Sequence, residues 1–518
     1  MSKDVLLIGV DAGTYRAIDR LTDKDRLPAI SRLLDRGSRG VLQSSTPPWT
    51  PTAWTSLTSG KNPGKHGIFD FKTTDQSRLV NGNDVSTRRI WDYLSEAGKR
   101  SIVLNVPVTH PAPDIDGVLI PGYLGPEVDE AVAQPAGVVE ELRSNIGSYT
   151  VYKSGDTLQG DDLCREYCDL MEMRVDAAEY LCTTYEWDFT MVQFQRTDTV
   201  FHELPNREHI DSVYEKLDEC VGRLVRTTDA SNTMLVSDHG MGPLGEWDFR
   251  INTWLEEQGY LETAVDGYQP GWDKPEGEVE DEGKGSLPSR AFQFIAEHGL
   301  AVQDIERLLN RAGLSGTVQR LVPNQLLDAA VSSGSEKIER AASRAYCPSG
   351  PGLGIYCEDG VREELITALR DVRDPDGNRV FEWVEPADSV FDGPMTEPGP
   401  DVLVMPREMN YYIGATLTSR AFEESRYAYN HKREGVCITA GEGVEPVKTT
   451  LDITDVAPTV LALLDVELDE DFDGEVPRGV FPDLSVPDER KYDPIEEAHI
   501  DESYADVESR LEDLGYFS

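Results

Sequence analysis

Residues 4–13 read DVLLIGVDAG. An apolar run of strand length that stops at Asp11 and Gly13 is the pattern of a strand buried on both faces, as in parallel sheets, whose C-terminal end opens into a site. The same pattern returns in WDFTMVQFQRTD, ending at Asp198, and in NTMLVSDHG, ending at Asp238. KRSIVLNVP and PDVLVMP read as further strands of this kind. Helical patterns separate them, at 24–37, 88–97, 161–185, 211–227 and 451–464. Alternation of strand and helix predicts an α/β fold, a mainly parallel sheet between two helical layers. Ligands bind at the C-terminal ends of strands in such sheets, so three strands that each deliver an Asp there point to function as well as topology.

Outward from the core, composition changes. Residues 260–290 are acidic, rich in Gly and Pro and without period, which predicts a linker or surface excursion. With the segments that follow, 260–398 is expected to form an acidic linker and inserted cap, leaving 1–259 and 399–482 as the catalytic core. Residues 483–518 read as an acidic tail ending in an amphipathic helix, YADVESRLEDLGYF.

The 518 residues carry 95 Asp and Glu against 49 Lys and Arg, a formal charge of −46 spread along the chain. Such a surface repels polyanions and argues against nucleic-acid binding. A halophilic cytoplasm accounts for it, because salt near 1 M shortens the screening length to about 3 Å and suppresses self-repulsion. MSKDVLLIGVDAG is too short in its apolar stretch for a signal peptide, and no run reaches the length of a membrane span. A cytoplasmic location is therefore expected, and the seven cysteines are expected as reduced thiols. Cys164 and Cys168 lie four apart on a helical pattern with no His beside them, which gives no zinc set.

With eight His in the chain, their positions are informative. His202 follows Asp198 by four, His239 follows Asp238 directly, and His431 opens HKREGVCI. Asp and His are the oxygen and nitrogen ligands of zinc and similar divalent metals. Asp11, Asp198, His202, Asp238, His239 and His431 together would serve two such ions, about 3.5–4 Å apart in sites of this type. Singly, each has a plain alternative as turn former, helix cap or packed side chain. His66 reads as a turn residue, and His110, His209, His298 and His499 as bystanders.

Residues 47–60, PPWTPTAWTSLTSG, hold six hydroxyls: Thr50, Thr52, Thr55, Ser56, Thr58 and Ser59. Thr50-Pro51 fits a helix start, with Thr50 as N-cap, and Gly60 fits the helix end. The N–H groups of Thr52 and Ala53 would then face a phosphate oxygen at the positive helix end. Thr50 is either a cap or a nucleophile, and a hydroxyl needs a base or a metal to become the latter.

With these motifs in hand, VDAG at 10–13, TPTAWTSLTSGKNPGKHGIFDF at 50–71, TDTVFH at 197–202, SDHG at 237–240, NHKREGVCI at 430–438 and DITDVAPTVLALL at 452–464, the chain resembles the type I phosphodiesterase/nucleotide pyrophosphatase family of the alkaline phosphatase superfamily. The resemblance implies an alkaline-phosphatase-like three-layer sandwich with a cap and a two-metal site, Zn²⁺ first and Mn²⁺ as the alternative. It places Asp11, Thr50, Asp238 and His239 on one metal and Asp198, His202 and His431 on the other. In the family the nucleophile lies ten residues before the Gly that closes its helix, which selects Thr50. It implies hydrolysis of a small phosphodiester or phosphomonoester through phospho-threonine, the alternatives being transfer to a sugar or lipid acceptor and a non-catalytic metal-binding relative. Neither a CxPxR-type sulfatase segment nor the Ser nucleophile and additional metal-binding His of phosphoglycerate mutases is present. One departure is Ala53, where nucleotide pyrophosphatases carry the Asn of TFPN. It leaves phosphate binding to backbone N–H groups or Lys61 and points away from a nucleotide.

Overall fold

The computed structural model describes residues 4–127, 133–153, 157–264 and 337–493. The chain divides into two compact units, one formed by residues 1–260 with 344–518 and the other by 261–343. In the smaller unit, Thr263–Ala264 pairs antiparallel with Lys337–Ile338.

The larger unit is built on an eight-stranded sheet. Strands β1 (Val5–Val10), β2 (Ser38–Gln43), β3 (Ser101–Leu104), β4 (Gly117–Ile120), β5 (Phe189–Phe194) and β6 (Asn232–Val236) are joined by Glu434–Gly441 and Lys448–Asp452. Their order is Lys448–Asp452, β2, Glu434–Gly441, β6, β1, β5, β3, β4. Only Glu434–Gly441 runs against its neighbours β2 and β6. Every residue of β1 is buried, as the unbroken apolar run requires of a central strand. The helical patterns are found at Pro28–Arg36, Ile90–Glu96, Gly160–Thr184, Arg207–Thr228 and Val456–Leu463.

One expectation is corrected. PDVLVMP is not in the main sheet: Val402–Pro406 pairs antiparallel with Gly354–Cys357 and Phe381–Pro386 in a separate four-stranded sheet. A short apolar run encodes a buried strand but not which sheet takes it. Residues 344–398 cluster with the larger unit. The excursion over 265–290, the helical patterns that follow it and the tail helix lie outside the described residues.

All ten residues of helix Thr50–Ser59 are buried, so its hydroxyls are interior groups in need of partners. Thr55, Thr58 and Ser59 donate to the carbonyls of Pro51, Trp54 and Thr55, four residues back, at 2.7, 2.8 and 2.7 Å. Ser56 pairs with His66 Nε2 at 2.9 Å. Gly60 closes the helix at φ +68°, where a side chain is strained and where a Cβ would also lie 2.7 Å from the Phe472 ring.

Candidate active site

The sheet register assembles the acidic groups. Val10 stands opposite Phe194 and Gly9 opposite Val236, so Asp11 and Asp238 leave adjacent strands at the same level. Glu434–Gly441 runs the other way beside β6, which brings the preceding His431 back to that edge. Asp198 is not the end of its strand. β5 stops at Phe194, and Asp198 sits in the first turn of helix Arg196–Glu203 with His202 one turn on.

Two clusters result, Asp11–Asp238–His239 and Asp198–His239–His431, both buried, with potential ligand atoms within 4.8 Å of one another. His239 Nε2 lies 3.6 Å from Asp11 Oδ1 and 3.3 Å from Asp238 Oδ2, yet among the described residues none of these three atoms has a hydrogen-bond partner. Asp198 Oδ1 lies 3.3 Å from His202 Nε2 and 3.6 Å from His431 Nε2. The His239 and His431 rings stack with centroids 3.8 Å apart.

Surrounding groups orient these side chains. Asp11 Oδ2 accepts from Trp54 Nε1 at 3.1 Å and from Gln193 Nε2 at 2.8 Å. Gln193 Oε1 in turn accepts from Asn105 Nδ2. Trp54 reaches Asp11 because residue 9 is Gly: a Cβ there would lie 2.5 Å from the indole. Asp238 Oδ1 accepts from the N–H of Ala12, held at φ 54° in the left-handed region, a strained conformation that aims the amide at the carboxylate. His239 Nδ1 donates to Gly240 O at 3.1 Å and His431 Nδ1 to Pro48 O at 3.0 Å. A carbonyl only accepts, so both rings carry their proton on Nδ1 and turn an Nε2 lone pair to the carboxylates.

The electrostatics follow from this placement. Burial raises the pKa of Asp11 well above the carboxylate range, and Asp238 and Asp198 add to it. Burial likewise pushes Asp238 up to about 6. For Asp198 burial acts in the same direction, but His202, His431 and His239 outweigh it and lower the pKa. Burial opposes protonation of His202, and Asp198 overcomes it, raising that pKa. Burial and His239 hold His431 well below the ordinary imidazole value. Buried carboxylates facing lone pairs are favourable only with positive charge between them, and an Asp/His donor set is the chemistry of zinc or manganese. The residues present therefore fit divalent cations.

The first turn of the Thr50 helix is tied to both clusters, through Pro48 O to His431 and through Trp54 to Asp11. Trp49 also meets the His431 ring edge-on, with centroids 5.4 Å apart. Trp49 has the extended backbone of the capping residue, so Thr50 is the first helical residue and not the N-cap. Ala53 N–H consequently bonds to Trp49 O at 2.8 Å and is not available to a phosphate. The first-turn amides left for a ligand are those of Thr50 and Thr52, since Pro51 has none. The hydroxyls of Thr50 and Thr52 are the two in this helix without a hydrogen bond among the described residues, and Thr52 Oγ1 is sealed from solvent. Lys61 is not a phosphate anchor: it is buried at the other end of the helix, its Nζ 2.9 Å from Asp469 and 3.2 Å from Asp471. His66 is the buried turn residue expected. Its Nδ1 accepts from Ile68 N–H at 3.1 Å, and burial lowers its pKa to about 3. His209 pairs with Asp161 away from the clusters, all seven cysteines are free thiols, and His298 and His499 lie outside the described residues.

A cleft of about 390 Å³ is lined by residues that flank the site motifs, Thr14, Phe201, Met241 and Tyr429, together with Arg16, Arg20 and Arg207. Sequence reading missed Gln193, Asn105, Trp54 and Ala12 as orienting groups. A Gln inside an otherwise apolar central strand was a readable signal, whereas the backbone of Ala12 left none.

Fold and site together define an α/β protein with a buried, acidic, histidine-rich centre at the edge of its mainly parallel sheet. The family model for type I phosphodiesterase / nucleotide pyrophosphatase matches residues 5–303, and the chain belongs to this family. The match includes Asp11, Thr50, Asp198, His202, Asp238 and His239, while His431 lies beyond it. Hydrolysis of phosphate esters is the activity of the family. No curated protein matches the sequence. Among solved structures, phosphonoacetate hydrolase from Sinorhizobium meliloti 1021 in complex with phosphonoformate is similar in fold, at 13% identity and a TM-score of 0.51, over 89% of this chain and 96% of that one. An inactive murine ectonucleotide pyrophosphatase / phosphodiesterase 5 in complex with AMP is similar at 12% identity and a TM-score of 0.50, over 93% and 99%. A mutant of the alkaline phosphatase PafA is similar at 13% identity and a TM-score of 0.50, over 93% and 99%. Among the described residues no helix is long and apolar enough to cross a membrane.

Proposed function

We propose that this protein hydrolyses small phosphate esters with Thr50 as nucleophile at a two-cation centre. Asp11, Asp238, His239 and the Thr50 hydroxyl would hold one divalent cation and Asp198, His202 and His431 the other, with Zn²⁺ the first choice and Mn²⁺ the second. When bound, such cations supply Lewis acidity that acidifies a hydroxyl and stabilises charge on phosphate oxygens. Thr50 Oγ attacks phosphorus in line, the P–O bond to the leaving group breaks, and the hydroxyl proton ends on the leaving alcohol. Water then cleaves the phospho-threonine ester and regenerates Thr50. The helix start directs the amides of Thr50 and Thr52 at the transferring group. Trp54, Gln193 and the Ala12 amide hold Asp11 and Asp238 in place.

The observation that carries this reading is the convergence of Asp11 Oδ1, Asp238 Oδ2 and His239 Nε2, all buried and without hydrogen bonds, beside a helix start tied to both clusters. Arg16 and Arg207 in the adjoining cleft, where Arg20 is already paired with Asp211, favour an anionic substrate on a chain of charge −46. The test is to assay p-nitrophenyl phosphate, bis(p-nitrophenyl) phosphate and a sulfate ester at high salt, with Zn²⁺ or Mn²⁺ and with chelator. Phosphate ester hydrolysis that chelator abolishes and metal restores is expected. Preference for the sulfate ester, or turnover indifferent to chelator, contradicts the proposal.

A further inference from the structure

Beside the Asp198 helix lies a cavity that the reaction does not use. Its lining includes Arg174, Arg196, Tyr123, Asn105 and Gln195, and its free space, about 10 Å³, admits one water-sized sphere. Arg174 comes from helix Gly160–Thr184 and Arg196 from the start of helix Arg196–Glu203. Both are buried, 3% and 8% exposed. Their Nη2 atoms donate to the same oxygen, Val151 O, each at 3.0 Å. Two guanidinium charges are thus drawn together inside the protein.

Among the described residues neither has a carboxylate ion-pair partner. Arg174 lies over the Tyr149 ring at 4.8 Å and Arg196 over the Tyr167 ring at 5.4 Å, contacts that soften the charge without cancelling it. Among the described residues Arg174 Nε and Nη1 find no hydrogen-bond partner, nor does the hydroxyl of Tyr123. Burial lowers the pKa of Arg174 and Arg196 adds to it, against Tyr149 and the Glu127 carboxylate, whose oxygens accept from the amides of Val151 and Tyr152. A buried charge is tolerated where a counter-charge and hydrogen bonds complete it. Here two guanidinium groups share the field of one carboxylate, Glu127, that is not in ion-pair contact with either, and the donors are already oriented.

We propose that the Arg174–Arg196 cavity binds one small inorganic anion, chloride by size. The small free space, about 10 Å³, favours a monatomic ion over a tetrahedral oxyanion such as sulfate or phosphate. Arg174 Nε and Nη1 and the Tyr123 hydroxyl donate to it. Gln195, whose Oε1 makes no hydrogen bond, joins them when its amide turns over to present the NH₂. Asn105 cannot turn in the same way, because its Nδ2 is held by Gln193 O and Oε1 at 3.0 and 2.8 Å. Its Oδ1 therefore favours the one neutral rival, a water bridging Arg174 and Asn105. The proposal is independent of the reaction assigned to the metal centre.

Bromide replaces chloride in such sites and can be located by anomalous scattering. Crystals of the full-length protein soaked in sodium bromide are expected to show an anomalous peak between Arg174 and Arg196, absent in Arg174→Met. In solution at fixed ionic strength, replacing chloride by gluconate is expected to lower the melting midpoint of the wild type by about 2 °C or more and that of Arg174→Met by less. The two halide responses are compared by difference, so general salt effects cancel. Density without anomalous signal in the wild-type cavity means a water and overturns the proposal, as does sulfate density that excludes bromide. If Arg174→Met fails to fold, the wild-type bromide map decides alone.

Discussion

The two ends of helix Thr50–Ser59 use the same kinds of residue for different purposes. At its start, Thr50 has a hydroxyl without a hydrogen bond among the described residues, and the flanking Pro48 and Trp54 are bonded to His431 and Asp11. At its finish every polar group is spoken for: Ser56 by His66, Ser59 by Thr55 O, Lys61 by Asp469 and Asp471. Chemistry needs a group whose bonding capacity is held open, and stability needs the reverse. Substitutions at the start should therefore alter turnover with little change in stability, and those at the finish should do the opposite.

The largest effect is expected at the start. Thr50→Ala should lower kcat by at least about 10³-fold, with metal content and melting midpoint nearly unchanged, measured by elemental analysis and calorimetry. Thr52→Ala, which removes the other unbonded hydroxyl, should keep turnover within about threefold. The reverse ranking would move the nucleophile two residues along the chain.

Lys61→Met comes next and acts on stability. It leaves the buried Asp469 carboxylate without its counter-charge, held by the Tyr93 hydroxyl at 2.6 Å and the Asp471 amide at 3.1 Å. Loss of one partner of a buried pair costs about 3–5 kcal/mol, read by chemical denaturation. KM for the phosphate ester should not move, and a tenfold rise would restore Lys61 as a phosphate anchor.

His66 gives a pH dependence of somewhat smaller size. Its folded pKa is lowered from 6.5 to about 3 by burial, so folding favours the neutral ring. Its stabilising contribution is complete above pH about 6.5 and is lost as pH falls toward 3, at about 1.4 kcal/mol per pH unit for one proton. Between pH 6.5 and 4.5 the wild type should lose about 2 kcal/mol more than His66→Gln, which cannot charge. Equal slopes in the two proteins would contradict the neutral, buried assignment.

Gly60→Ala is the smallest, with a cost of about 1–2 kcal/mol from the positive φ and the Phe472 contact. Activity per folded molecule should be unchanged.

The same contrast marks what could be read from sequence. Chain-local signals were legible: β1 as a central strand, the helix from Thr50 to Gly60, and Asp11, Asp238 and His239 at strand ends. Features set by three-dimensional neighbours were not. PDVLVMP looks like the core strands but pairs in another sheet, because pairing depends on partners distant in sequence. Thr50 was displaced by one position from its cap, since cap and first helical residue share a composition. Lys61 stands two residues past the helix end in sequence, and the helix length carries it away from the clusters. Ala12 and the paired Arg174 and Arg196 take their roles from backbone geometry and packing that no periodicity encodes.

The central claim, that Thr50 carries the phosphoryl group, is tested most directly by trapping. Metal-loaded protein is acid-quenched during turnover of a phosphate ester, and its peptides are mapped by mass spectrometry. The account predicts a phosphoryl adduct on Thr50 that is chased away when turnover continues without substrate and is absent from Thr50→Ala. Turnover at the full rate with no adduct on Thr50, or an adduct on Thr52, would contradict it.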